Sequence, residues 1–133
     1  MRLIFPLVVL FLAACDLIPQ THLERVQDEG VLRVLTRNSA TTYYVGPYGP
    51  TGLEYDLVAG FADFIGVKLK LEVAETLSQT LSKIQAGDAD IAAAGLTVTE
   101  ERQRLINFGT SYQQITPQLV YRIGTRSPKN LLP

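Results

Sequence analysis

The sequence predicts an α/β fold, a parallel-core sheet with flanking helices, and three observations carry that expectation. From residue 23 onward, apolar stretches of strand length alternate with stretches of helical period. The expected helices end at Gly30, Gly66 and Gly87, and a strand follows each glycine. The third observation is a junction. Ile91-Ala92-Ala93-Ala94 is short and apolar, stops at Gly95, and leads into Thr99-Glu100-Glu101-Arg102, which reads as a helix start.

Taken in order, Leu23 to Glu29 is a short helix with apolar positions at Leu23 and Val26, and Val31 to Thr36 is a β-branched, apolar strand. Arg37 to Tyr44 is polar and hydroxyl-rich, and Gly46-Pro47-Tyr48-Gly49-Pro50-Thr51-Gly52 is a turn-filled, hairpin-like loop. Glu54 to Ile65 has the helical period, with Leu57, Val58, Phe61, Ala62, Phe64 and Ile65 in one wide apolar stripe and Asp56 and Asp63 off it. Val67 to Val73 alternates apolar and polar, as a half-buried strand or a lysine-protected edge strand does. Leu77, Leu81 and Ile84 mark a further helix. After the junction a short helix runs to Leu105, residues 107–112 form a loop, and Gln118 to Arg122 is a last strand. Parallel strands in this order need right-handed crossovers.

The junction carries the chemistry. A hydroxyl at Thr97, a guanidinium at Arg102 and the backbone at Gly95 gather near the carboxyl end of a strand, where open α/β sheets bind ligands. The same residues suit a plain junction if Thr97 and Thr99 only cap and Arg102 pairs with Glu101. A second gathering follows the first strand. There Asn38, Ser39, Tyr43 and Tyr44 could stack on and hydrogen-bond a small molecule, or place one ring of a hairpin in the core. Asp88 and Asp90 could be offered as an acid and base pair, but their turn position reads as solvated.

Composition excludes several classes. Twelve basic and 13 acidic residues in a chain of 133 give a net charge of −1 without long runs, so neither a nucleic-acid footprint nor a polybasic membrane patch is expected. One cysteine and one histidine, Cys15 and His22, make no zinc cluster, so no metal or cofactor is expected. Met1-Arg2, the apolar run Leu3 to Leu12, and Ala13-Ala14 read as a signal peptide too short to span a bilayer, which takes about 20 residues. Leu12-Ala13-Ala14-Cys15 resembles the bacterial lipobox, which implies lipidation at Cys15. The expected organisation is a lipoprotein signal peptide at 1–14, a lipidated tether at 15–22, a lobe at 23–124 and the start of a crossover at 125–133.

Gly52-Leu53-Glu54-Tyr55-Asp56-Leu57, the Gly87-Asp88-Ala89-Asp90 turn, and Leu96-Thr97-Val98-Thr99-Glu100-Glu101-Arg102 with Asn107-Phe108 resemble the first lobe of extracytoplasmic solute-binding proteins of the amino-acid type. Their fold is the type II periplasmic binding protein fold. Residues 23–34 and Gln118 to Gly124 look most like the solute-binding domain of the membrane-bound lytic murein transglycosylase F family. The resemblance implies that Thr97 and Arg102 hold a ligand carboxylate, that the Gly95 backbone assists, and that Tyr43 or Tyr44 supplies a stacking ring beside Asn38. A planar guanidinium meets a carboxylate through two parallel hydrogen bonds. The family's site lies between two lobes, and one is expected here. The family's lysozyme-like catalytic domain has no counterpart in these residues, so no catalytic residue is expected.

Two functions follow from the resemblance. One is a noncatalytic sensor lobe of a lytic transglycosylase, tied to the periplasmic side of a membrane by its lipid and binding an amino acid or muropeptide. The other is a substrate-binding lipoprotein of an ABC-type amino-acid transporter, whose partner is a permease. A stand-alone enzyme is the third class, and the solvated reading of Asp88 and Asp90 weighs against it.

Overall fold

The computed structural model describes residues 19–116, 118, 120 and 122–124. The expected signal peptide, Cys15 and the rest of the first half of the tether, and the segment 125–133 lie outside the described residues, as do Pro117, Leu119 and Tyr121. The strand expected at Gln118 to Arg122 has no strand backbone at Gln118, Val120 or Arg122, the residues of it that are described.

The elements are α1 (His22–Glu29), β1 (Val31–Thr36), β2 (Tyr44–Gly46), β3 (Gly49–Thr51), α2 (Leu53–Ile65), β4 (Lys68–Val73), α3 (Leu77–Ala86), β5 (Ile91–Ala93) and α4 (Glu100–Gln103). Strands β4, β1 and β5 form a parallel sheet in that order. Register pairs Thr36 of β1 with Val73 of β4 and Ala93 of β5, so the three carboxyl ends finish level. The Gly/Pro-rich stretch is more ordered than a loop: β2 and β3 pair antiparallel across Pro47-Tyr48. Strands of three residues are too short to show a period, and the turn residues hid them.

One face of the sheet holds the core. Val26, Leu32, Val34, Val58 and Ala62 are buried, and Ile65, Leu69, Leu71, Ile91 and Ala93 pack against them. Fully burying one such side chain stabilises a fold by roughly 1.5–3 kcal/mol. Leu69 and Leu71 face this core while Lys68 and Lys70 are exposed on the edge strand, as the alternation predicts. The wide stripe of α2 divides instead. Val58 and Ala62 are buried, but Leu57, Phe61 and Phe64 stand 49%, 39% and 86% exposed. A single helix lying on a narrow sheet buries only the stripe that touches it.

At the amino end of β5 the solvated reading of the acidic turn fails for Asp90. Asp88 is exposed, but the Asp90 side chain is 1% accessible. Its Oδ1 accepts from Arg25 Nη2 at 2.6 Å and Arg33 Nη2 at 2.8 Å. Its Oδ2 accepts from the Arg33 backbone N–H at 2.8 Å and Nε at 3.2 Å. Burial opposes the charged form, yet these donors outweigh it and hold the Asp90 carboxyl well below the usual carboxylate range. The cluster fastens α1 and β1 to β5.

Candidate ligand-binding site

The loops that carry the residues expected to bind leave the opposite end of the sheet. β4 and β5 flank β1 on opposite sides, and the chain leaves β1 toward β4 through α2. The loops that follow β1 and β5 leave these adjacent strands at their carboxyl ends, the topological switch point where open sheets bind ligands.

Both loops are fastened to the first turn of α2. Its N-cap, Gly52, offers no side-chain acceptor, so the helix's early N–H groups find partners in the loop after β1. The Glu54 N–H donates to the Thr41 carbonyl at 3.4 Å and the Tyr55 N–H to that of Thr42 at 3.0 Å. Thr42 is 3% exposed, and its hydroxyl donates to the Arg37 carbonyl. Gly52 has φ +135°, and a Cβ there would meet the Thr42 carbonyl oxygen at 2.4 Å. Only glycine allows the loop this close to the helix.

The turn after β5 is held by Glu54. Both oxygens of its carboxylate lie 2.9 Å from the Gly95 nitrogen, and the Tyr112 hydroxyl donates to one of them. Glu54 is 5% exposed and, among the described residues, is held by hydrogen bonds and not by an ion pair. Burial first, then the bond to Glu54 and its charge, push the Tyr112 phenol above the ordinary tyrosine range. Gly95 has φ +64°, and the Thr42 methyl would lie 3.3 Å from a Cβ placed there, so the two loops touch.

Beyond Gly95, Thr99 caps α4 as expected, accepting from the Arg102 N–H at 3.3 Å. The Arg102 side chain turns back, and its Nη1 donates to the Thr97 carbonyl at 2.9 Å. Among the described residues Arg102 makes no ion pair, and Glu101 is not its partner. Thr97 is exposed and Arg102 half-buried. Asn38 is exposed and bridges Tyr43, whose ring packs against Tyr55 with centroids 5.8 Å apart. Tyr44 lies in β2, 41% exposed. The structure thus joins Arg102 to Thr97 and seats Gly95 on Thr42, but the Gly95 N–H is already engaged by Glu54. A cleft of about 300 Å³, lined by Ile84, Ile91, Ala92, Leu96, Ile106 and Phe108, runs along the open edge of β5 and includes none of the expected ligand residues.

Sequence reasoning missed Glu54, Thr42 and Tyr112. The only signal was the acidic residue after Gly52-Leu53, which read as a helix start.

Residues 32–130 match the family described as bacterial extracellular solute-binding proteins, family 3. The chain belongs to that family. Membrane-bound lytic murein transglycosylase F of Pseudomonas fluorescens (strain Pf0-1) is 45% identical to this solute-binding protein over 120 residues, covering 90% of the chain and 24% of the relative. The chain spans about a quarter of that relative's length. Among solved structures, an ancestral cyclohexadienyl dehydratase aligns with a TM-score of 0.65 and 34% identity, covering 72% of this chain and 40% of that one. The arginine-bound form of domain 1 from TmArgBP aligns with a TM-score of 0.60 and 27% identity, covering 66% and 71%. The α/β architecture with a parallel core and flanking helices is that of these periplasmic binding proteins.

Proposed function

We propose that this chain is a noncatalytic ligand-binding lobe of a membrane-bound lytic murein transglycosylase acting on peptidoglycan. It takes a small carboxylate, an amino acid or a cell-wall peptide, and in the complete protein regulates cleavage. One observation carries the binding step: the Arg102 guanidinium is anchored through Nη1 to the Thr97 carbonyl at the switch point, in a half-buried position without an ion pair among the described residues. A guanidinium has five donors in a fixed fork, so one bond to a carbonyl leaves a face for a carboxylate. Thr97 adds a hydroxyl and Asn38, Tyr43 and Tyr44 border the site, while Gly95 shapes it through its backbone. The named relatives support the transglycosylase context.

In this reading residues 1–14 are a signal peptide, Cys15 carries the lipid, 15–22 is the tether, 23–124 is the lobe and 125–133 starts a crossover. The lobe faces the periplasm. A second reading, the substrate-binding lipoprotein of an ABC-type amino-acid transporter, is favoured by the likeness to an arginine-bound domain. The sequence encoded after Pro133 separates them: a second lobe followed by a lysozyme-like domain supports the first, and a stop after the second lobe beside a permease supports the second.

Calorimetric titration with L-arginine, L-glutamine and a cell-wall stem peptide tests the site. At least one binds the wild-type chain, and Arg102→Ala weakens it by about 10–100-fold, the worth of hydrogen bonds to a charged group. Unchanged affinity removes Arg102 from the site.

A further inference from the structure

The expected ligand residues do not hold themselves in place. Gly95, Thr97 and Arg102 lie on a turn and a four-residue helix that bury no side chain fully. What fixes that turn is a carboxylate reached from 41 residues away: Glu54, whose two oxygens are equidistant from the Gly95 nitrogen at 2.9 Å. Tyr112, on the chain beyond α4, donates its hydroxyl to the same group. Thr42 closes the turn from the other loop, at 3.3 Å from the place of a Gly95 Cβ. The left-handed backbone of Gly95 aims the following residues, and Thr97 in turn anchors Arg102.

We infer that Glu54 is the positioning residue of the carboxylate site. It locks the Gly95 turn that carries Thr97 and Arg102, and through Tyr112 it ties that turn to the chain segment after α4. The inference rests on the ligand-binding reading of Thr97 and Arg102 given above. The geometry requires a carboxylate in particular. With both oxygens equally close to one N–H, an amide of the same shape sets an NH₂ group against the Gly95 N–H, donor facing donor. An aspartate is one methylene too short to span the same gap. The Gly95 N–H is therefore a fixed strut of the site and not a ligand contact.

The test combines ¹H–¹⁵N NMR of the whole chain with calorimetric titration by L-arginine, on wild type, Glu54→Gln and Tyr112→Phe. In Glu54→Gln the core amides of Val34 and Ala62 keep their positions, the Gly95 amide moves upfield and exchanges faster, and affinity falls about tenfold through loss of a charge-assisted bond. Tyr112→Phe removes the competing donor, so the Gly95 amide moves downfield, and affinity falls by about threefold as the segment after α4 loosens. A Gly95 amide that ignores Glu54→Gln, or wild-type affinity in that variant, overturns the inference. If Glu54→Gln does not fold, Tyr112→Phe decides by the same amide. If the wild-type chain binds no arginine and no other carboxylate, the ligand reading falls, while the Gly95 amide alone still reports whether Glu54 holds the turn.

Discussion

The two ends of the parallel sheet use the same residue types in opposite ways. At the amino end, Arg25 and Arg33 converge on one carboxylate that is 1% accessible, and His22 approaches it at 3.3 Å. At the carboxyl end, Arg102 is anchored only to the Thr97 carbonyl among the described residues, and the buried carboxylate Glu54 holds a backbone N–H and a phenol instead of a cation. The central strand shows the same contrast. Arg33 has its side chain and its N–H committed to Asp90, whereas the Thr36 hydroxyl, 1% exposed at the other end of β1, makes no hydrogen bond among the described residues. A cation paired inside the fold holds elements together, and in the proposed reading a cation held by a neutral carbonyl keeps its charge for a ligand.

The largest expected effect is at the amino end. Asp90→Ala leaves two guanidiniums beside an apolar gap and lowers unfolding stability by about 3 kcal/mol in chemical denaturation. Because the folded carboxyl titrates below its unfolded value, its contribution is complete above the unfolded pKa of about 3.9 and fades as the pH falls below it. The wild type therefore loses stability on that acid limb, and Asp90→Ala has a flatter one. Affinity for a carboxylate ligand is expected to follow only the folded fraction.

Gly52→Ala is expected to act next, at the carboxyl end. Its Cβ would press on the Thr42 carbonyl at 2.4 Å in a backbone conformation suited to glycine, which costs about 2 kcal/mol and displaces the loop after β1. Denaturation and ligand affinity should both suffer, since Glu54 is only two residues away. The smallest stability effect belongs to Arg102→Ala, within about 0.5 kcal/mol, because an arginine that holds only a neighbouring carbonyl supports little packing. Equal destabilisation by Arg102→Ala and Asp90→Ala would erase the contrast between the two ends.

The sheet and its helices were legible because their signals are local. β4 alternates along its own length, and Gly66 and Gly87 close the helices they follow in left-handed conformation. The Thr99 cap was legible for the same reason, since the N–H it accepts from lies only three residues on, at Arg102. Asp90 was misread because its partner Arg25 is 65 residues distant, and a turn acid looks solvated until that partner is folded onto it. Glu54 was missed for the like cause, with Gly95 at 41 residues and Tyr112 at 58. The divided stripe on α2 failed differently: periodicity marks which residues share a face, but not how much of that face the sheet covers.

In the proposed reading, ligand chemistry resides at the carboxyl end of the sheet alone. Amide chemical-shift mapping by ¹H–¹⁵N NMR during titration with the tightest-binding carboxylate tests it most directly. Shifts are expected at Asn38 to Tyr44 and at Gly95 to Arg102, with Arg25, Arg33 and Asp90 unmoved. Shifts centred on the Asp90 cluster, or confined to the apolar cleft between Ile84 and Phe108, would contradict it.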